Sequence, residues 1–323
     1  MKSRCVISTF ALLILVAGLA AQTAQQRESG RNIHRDGWDR IVPDAPKATN
    51  SAPAPARDLS GIWEPTPGYR DGVQATGARN YPADGRPEHE LPFTPFGLET
   101  WKSHKPGWGV TAVPLAEIND PFNSCDPIGF PRIELFNLRA MQIWQNKNQM
   151  QMIYQNSQVW RNIWADGREL PKEILEPRWY GYSVGKWIDD YTFVVQTKGL
   201  DERTWIDNAG RPHSDELLVQ ETFHRVNRDI LELTLTINDP KMYTKPWNAL
   251  DKFTLRLQPE WFDIREQVCS ASGRMNITRP SRQTLRAKRK NSVGRDSALS
   301  LKYNPACSWQ AFDPVAKTIK LEG

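Results

Sequence analysis

A polar stretch between residues 201 and 216 holds the side chains best suited to acid–base chemistry. His213 lies close in sequence to Asp207 and Asp215, and Arg203 stands near the start of the stretch. A carboxylate can orient an imidazole as a general base, and a guanidinium can bind an anion through paired hydrogen bonds. These four residues are the candidate catalytic set for one alternative, in which the protein is an extracytoplasmic hydrolase rather than a ligand-binding protein. The alternative is a solvated loop in which the same charges only fix the backbone.

Other catalytic patterns are weaker. Residues 181–185 read Gly-Tyr-Ser-Val-Gly, which fits the Gly-x-Ser-x-Gly motif around Ser183. That motif requires a turn from a strand into a helix, whereas the flanks here have the alternation of strands. No Cys-x-x-Cys or His-x-x-x-His spacing occurs, so we predict neither a metal site nor a cofactor.

Large aromatic side chains suggest a second kind of site, because the chain contains 13 tryptophans. Side chains alternate across a strand, so one aromatic set would fill an interior while another lines a groove for a small apolar or aromatic ligand. The alternatives are ordinary packing of aromatics on a sheet and a surface interaction module without a pocket. The residues predicted to line the groove are Trp63, Trp160, Trp164, Tyr180, Tyr182 and Trp205.

The elements that would position these residues follow from a period of two between residues 139 and 268. Short turns rich in Asn, Asp and Gly separate the alternating runs, which favours antiparallel pairing. We therefore predict a mainly β fold, an antiparallel meander closed into a barrel or packed as a β-sandwich. One short helix is expected after Thr94 and Pro95. The predicted strands are 139–145, 149–154, 158–164, 180–187, 191–197, 217–226, 230–237, 252–257 and 262–268.

Composition divides the chain further. Lys2 and Arg4 precede an apolar run of signal-peptide length that ends in small residues, so we expect a secreted or periplasmic protein without a transmembrane segment after cleavage.

The net charge of +5 depends on a basic C-terminal segment, and the remaining body is mildly acidic, so no nucleic-acid partner is expected. The oligomeric state stays open. The predicted organisation is a signal peptide (1–21), a disordered linker (22–57), a single β domain (58–270, with an arm at 58–138 and barrel strands at 139–270) and a basic, poorly ordered tail (271–323).

Export places the cysteines where disulfides form. Cys5 would leave with the signal peptide, so Cys125, Cys269 and Cys307 remain. We predict a Cys125–Cys269 bridge, because both residues lie inside the patterned body, whereas Cys307 lies in the tail.

Two resemblances bear on the fold. Gly61-Ile62-Trp63 resembles the Gly-x-Trp signature of lipocalin-type (calycin) barrels, which implies a calycin-like barrel with the tryptophan at one end. A longer likeness covers residues 58–270 and includes the motifs at 125–132, 160–168 and 177–187. In these motifs the chain resembles a family of uncharacterised secreted proteins from acidobacteria and other soil bacteria, which implies export but no particular activity.

Overall fold

The computed structural model describes residues 34–43, 51–66, 72–136 and 138–269. The chain divides into two compact units, 1–44 and 45–323. In the first unit Asp36 accepts hydrogen bonds from the backbone N–H groups of Trp38 and Arg40, which shapes a tight turn. The predicted signal peptide, most of the predicted linker and the predicted tail with Cys307 lie outside the described residues.

The second unit is mainly β, as predicted. Its described residues contain nine strands, two α-helices and a few short 3₁₀ turns. The helices are α1 (Pro95–Ser103) and α2 (Arg132–Leu135). The strands are β1 (Gly61–Pro65), β2 (Met141–Gln145), β3 (Gln149–Tyr154), β4 (Val159–Trp164), β5 (Tyr182–Trp187), β6 (Thr192–Lys198), β7 (Leu218–Arg225), β8 (Ile230–Asn238) and β9 (Trp247–Leu257).

The strands form a closed barrel in sequence order, and β1 completes it by pairing with β9. The predicted barrel is therefore confirmed, but its pairing is not antiparallel throughout. Among the described strands, β4 and β5 run parallel through two register pairs, Ile163 with Ser183 and Trp164 with Val184. Strict alternation of direction cannot close an odd number of strands, so nine strands require a parallel neighbour somewhere. The connection 165–181 makes β4 and β5 parallel, because it carries the chain back to the end of the barrel at which β4 also begins.

Closure of the barrel also explains an error in the strand prediction. Residues 262–268 do not form the expected last strand, and only Gln267 makes an isolated bridge, with Asn156. The free edge of β9 is already occupied by β1, in which Trp63 lies opposite Leu257. A further strand therefore has no edge to join.

Helix α1 begins where the sequence predicts. The Thr94 hydroxyl oxygen accepts a hydrogen bond from the Gly97 N–H at 2.9 Å, and Pro95 occupies the first helical position. Proline suits this position because its missing N–H would have no intrahelical partner there. Phe93, just before the helix, stacks on Trp101 at 5.2 Å between ring centroids and so fixes the helix to the preceding chain.

The two ends of the barrel differ. The "first end" carries the turns 146–148, 188–191 and 226–229. The "second end" carries the connections 199–217 and 239–246, and the arm packs there. Alternate side chains of every strand fill the interior, as in the buried series Leu231, Leu233, Leu235 and Ile237 of β8.

The predicted Cys125–Cys269 disulfide is present, with the two Cα atoms 5.7 Å apart. It joins the arm to the segment that follows β9. Among the described residues there is no helix long and apolar enough to cross a membrane.

Candidate functional site

The structure does not bring the four predicted catalytic side chains together. His213 is buried, and its ring nitrogens lie 2.8 Å from the Thr204 hydroxyl and 3.3 Å from the Ser214 carbonyl oxygen. Burial lowers the pKa of His213, so the ring is neutral near pH 7. No carboxylate of the described residues forms an ion pair with it. These two hydrogen bonds stabilise the conformation of the 199–217 connection.

The three charged members of the set each have a different partner. Asp207 is fully buried and accepts hydrogen bonds from the Ala78 N–H at 2.9 Å and from Arg211 Nη1 at 2.8 Å, which ties the arm to the second end. Arg203 pairs with its neighbour Asp201. Asp215 is exposed and pairs with a lysine, Lys241, whose hydrogen bond lowers the pKa of the carboxyl.

The predicted ligand-lining aromatics are also dispersed. Trp63 is completely buried at the first end, where its indole N–H donates to the Leu59 carbonyl at 2.9 Å. The Arg225 guanidinium covers this ring at 4.9 Å from its centroid. Trp205 is buried at the second end and stacks on His104 at 4.8 Å. Both rings close an end of the barrel rather than line a shared groove.

The remaining aromatics of that set lie on or near strands β4 and β5. Trp160 and Trp164 face outward from β4, and Tyr182 faces outward from β5. Tyr180 is half-buried against the core, and burial raises the pKa of its hydroxyl.

The barrel interior instead holds a buried ionic network that the sequence analysis missed. Arg161 of β4 projects inward, and its Nη2 donates to Glu221 of β7 at 2.8 Å. Its Nη1 donates to Glu134 of α2 at 3.3 Å and to the Tyr154 hydroxyl at 3.0 Å. The Tyr154 hydroxyl in turn donates to Glu134 at 2.5 Å. One arginine thus connects two strands and the short helix that enters the barrel.

Charge balance determines the protonation of this network. Two carboxylates and one guanidinium would leave a net negative charge among fully buried side chains, which is strongly unfavourable. Burial and the neighbouring Glu221 raise the pKa of Glu134 to about 8, so Glu134 is protonated at pH 7. The protonated Glu134 leaves Arg161 and Glu221 as the charged pair, so the network as a whole is neutral.

The sequence contains a signal for two of these residues. Arg161 and Glu221 occupy inward positions in the alternating runs 159–163 and 219–223, where every neighbour on the same face is apolar. Opposite charges at inward positions of two strands predict a buried pair. No such pattern surrounds Glu134, because the residues around it do not alternate between apolar and polar as in a strand.

The pH dependence of stability tests this assignment. Glu134 has a folded-state pKa of about 8 against an ordinary value of 4.5, so its contribution is complete below pH 4.5 and is lost as the pH rises toward 8. Glu134→Gln keeps the shape and the neutral charge but cannot ionise. We expect the unfolding midpoint of this variant in urea to depend less on pH between 5 and 8 than that of the unmodified protein.

The exposed Glu99→Gln on α1 is the matched control and should retain the pH dependence of the unmodified protein. An equal slope for Glu134→Gln and the unmodified protein would show that Glu134 is ionised throughout this range.

An open cleft of about 330 Å³ lies at the first end, beside the ends of β2, β4 and β5 and the starts of β3 and β6. Phe193 and Trp187 form part of its wall, with ring centroids 5.1 Å apart. Gly185 allows the Phe193 ring to pack directly against its backbone, since a Cβ there would lie 2.4 Å from the ring. The lining side chains are Arg57, Gln145, Asn146, Lys147, Gln149, Met150, Ala165, Gly167, Gly185, Lys186, Trp187 and Phe193.

The rim of the cleft is basic. Arg57 pairs with Asp190 at 3.1 Å. Lys147 and Lys186 are exposed and form no ion pair with a carboxylate of the described residues. The cleft therefore combines an apolar wall with two cations that are available to a bound anion.

Comparison with protein-family models, with curated proteins and with solved structures finds no match.

Proposed function

We propose that this protein is an exported β-barrel that binds a small amphiphilic ligand with an apolar, aromatic body and an anionic group. The cleft at the first end carries this proposal. Its volume of about 330 Å³ falls at the lower end of the range typical of small-molecule sites. The aromatic body would contact Trp187, whose ring packs on the buried Phe193, and the anionic group would face Lys147 and Lys186.

The closed parts of the barrel support a site at this end. The arm and the 199–217 connection cover the second end, and the ionic network around Arg161 occupies the interior beyond it. At the first end, Trp63 and Arg225 fill the side near β1 and β7. The cleft on the side of β2–β6 is thus a part of the described barrel that a ligand could reach.

The disulfide supports export. Disulfide bonds persist in secreted and periplasmic proteins and are rare where thiols are kept reduced. The Cys125–Cys269 bond agrees with the signal peptide expected from the N-terminal sequence. Ligand capture outside the cytoplasm is the role that this combination favours.

The probe 8-anilinonaphthalene-1-sulfonate tests the ligand chemistry, because it joins an aromatic body to one sulfonate. We expect its fluorescence to rise on binding with a Kd of roughly 1–100 μM, since one partly exposed apolar wall and two exposed ion pairs are modest contributions. Replacing both cleft lysines, Lys147→Ala with Lys186→Ala, should weaken binding about threefold to tenfold. Ala165→Trp should weaken it further by filling the cleft.

Two control variants separate the cleft from the rest of the surface. Lys245→Ala removes an exposed lysine at the second end, and Ala112→Trp adds a tryptophan to an exposed part of the arm. Both should bind the probe like the unmodified protein. Binding that is unaffected by Ala165→Trp and by the lysine pair would contradict a ligand site in the cleft.

A further inference from the structure

The outer face of β2–β4 carries no charged side chain of its own. Its outward positions hold tryptophan, glutamine, asparagine and isoleucine only, and the one charged residue of these strands, Arg161, points inward. The outward side chains are Gln142, Trp144, Gln149, Gln151, Ile153, Trp160, Asn162 and Trp164.

Two tryptophans of this face are open to solvent. Trp144 is 60% exposed and Trp160 is 66% exposed. Neighbouring outward aromatics are covered by arginines, since Arg168 lies 3.7 Å from the centroid of the Trp164 ring and Arg178 lies 4.0 Å from that of Tyr182. Among the described residues, no such group covers Trp144 or Trp160.

The strand register places an amide pair between the two open rings. Trp144 lies opposite Gln151, and Gln151 lies opposite Asn162, to which its side-chain N–H donates at 3.2 Å. Trp160 lies two residues before Asn162 on β4. From the strand spacing and the rise per residue, the Cα atoms of Trp144 and Trp160 are about 12 Å apart.

We propose that this face, defined by Trp144, Trp160, Gln142, Gln151 and Asn162, binds a neutral polysaccharide. The C–H face of a pyranose ring is apolar and packs flat against an indole, while its hydroxyl groups need both donors and acceptors. Glutamine and asparagine amides supply both. Two rings separated by an amide pair match an extended chain of sugars that presents ring faces and hydroxyl groups in turn.

The charge of the face selects this occupant over others. Nucleic acids and acidic polymers require lysine or arginine to replace their counterions, and the outward positions of β2–β4 hold neither. A membrane or a purely apolar partner would bury the amides without hydrogen bonds, which is unfavourable. A neutral glycan complements an uncharged surface that is both aromatic and rich in amides.

Affinity electrophoresis provides the test. We expect the protein to be retarded in a native gel containing hydroxyethyl cellulose, a neutral glucan, and not in one containing anionic carboxymethyl cellulose at moderate salt. Trp144→Ala and Trp160→Ala should each reduce the retardation by about tenfold, because each removes one stacking surface. Trp144→Phe and Trp160→Phe should retain part of it, because the flat ring remains.

The control variants are Trp38→Ala, which removes a 75% exposed tryptophan outside the sheet, and Ala165→Trp, which fills the cleft. Both should be retarded like the unmodified protein, and circular dichroism should show that all variants are folded. The proposal is overturned if neutral glucans do not retard the protein or if the alanine variants are retarded equally. It is also overturned if the two tryptophans mediate cosedimentation with phosphatidylcholine vesicles or self-association in sedimentation velocity.

Discussion

Arg161→Met is expected to lower the free energy of unfolding by about 3–5 kcal/mol at pH 7, because it leaves Glu221 buried without its cation. Methionine fills much of the same volume, so the loss reflects charge rather than a cavity. Urea unfolding followed by tryptophan fluorescence measures it.

The double variant Arg161→Met with Glu221→Gln separates charge from packing. It removes both ions and leaves Glu134 protonated, so we expect it to recover more than half of the lost stability. Arg168→Met, which breaks an exposed pair with Asp166, should change stability little. If the single and double variants are equally unstable, the network acts through shape and not through charge compensation.

Loss of the Cys125–Cys269 disulfide is expected to lower stability by up to about 5 kcal/mol. The bond spans 144 residues of sequence, and closing so long a loop removes much conformational entropy from the unfolded chain. The paired substitution Cys125→Ser with Cys269→Ser should therefore unfold at a much lower urea concentration than the oxidised protein. Equilibrium unfolding with and without dithiothreitol provides an independent measurement of the same difference.

Cys307→Ser is the matched control, because it removes a cysteine that is not part of the Cys125–Cys269 bond. It should unfold like the unmodified protein under oxidising conditions. The reduced protein and the Cys125→Ser/Cys269→Ser variant should coincide. A midpoint that responds neither to reduction nor to the paired substitution would mean that the arm is held at the second end by its packing alone.

The sequence was sufficient to predict most strands of the meander, but it missed β1 (Gly61–Pro65), a buried barrel strand that lies within the predicted arm. Residues 149–154 form β3 as predicted, and β8 extends one residue beyond its predicted end at Ile237. Alternation works there because each inward side chain is large and apolar. It fails at residues 262–268, because pairing depends on a free sheet edge, and the closure of the barrel by β1 removes that edge.

The site residues were harder to predict, since their roles depend on packing between segments distant in sequence. His213 seemed suited to catalysis from its acidic neighbours, but its ring contacts Thr204 and the backbone. The cleft is lined by residues from four strands, from a turn and from the segment after β4, together with Arg57, so no local sequence pattern predicts it. Alternation predicts that Trp144 and Trp160 are exposed only when it is known which face of β2 and β4 points into the barrel.

The parallel contact between β4 and β5 also determines where the wall of the cleft can deform most easily. Those strands share two register pairs, whereas β3 with β4 and β5 with β6 share six each. Ala165 and Gly185 stand on either side of this seam and both line the cleft. A ligand wider than the cleft is therefore expected to enter by separating β4 from β5, because these strands share the fewest register pairs. The selectivity of the protein would then depend on how easily these two strands separate as well as on the shape of the cleft.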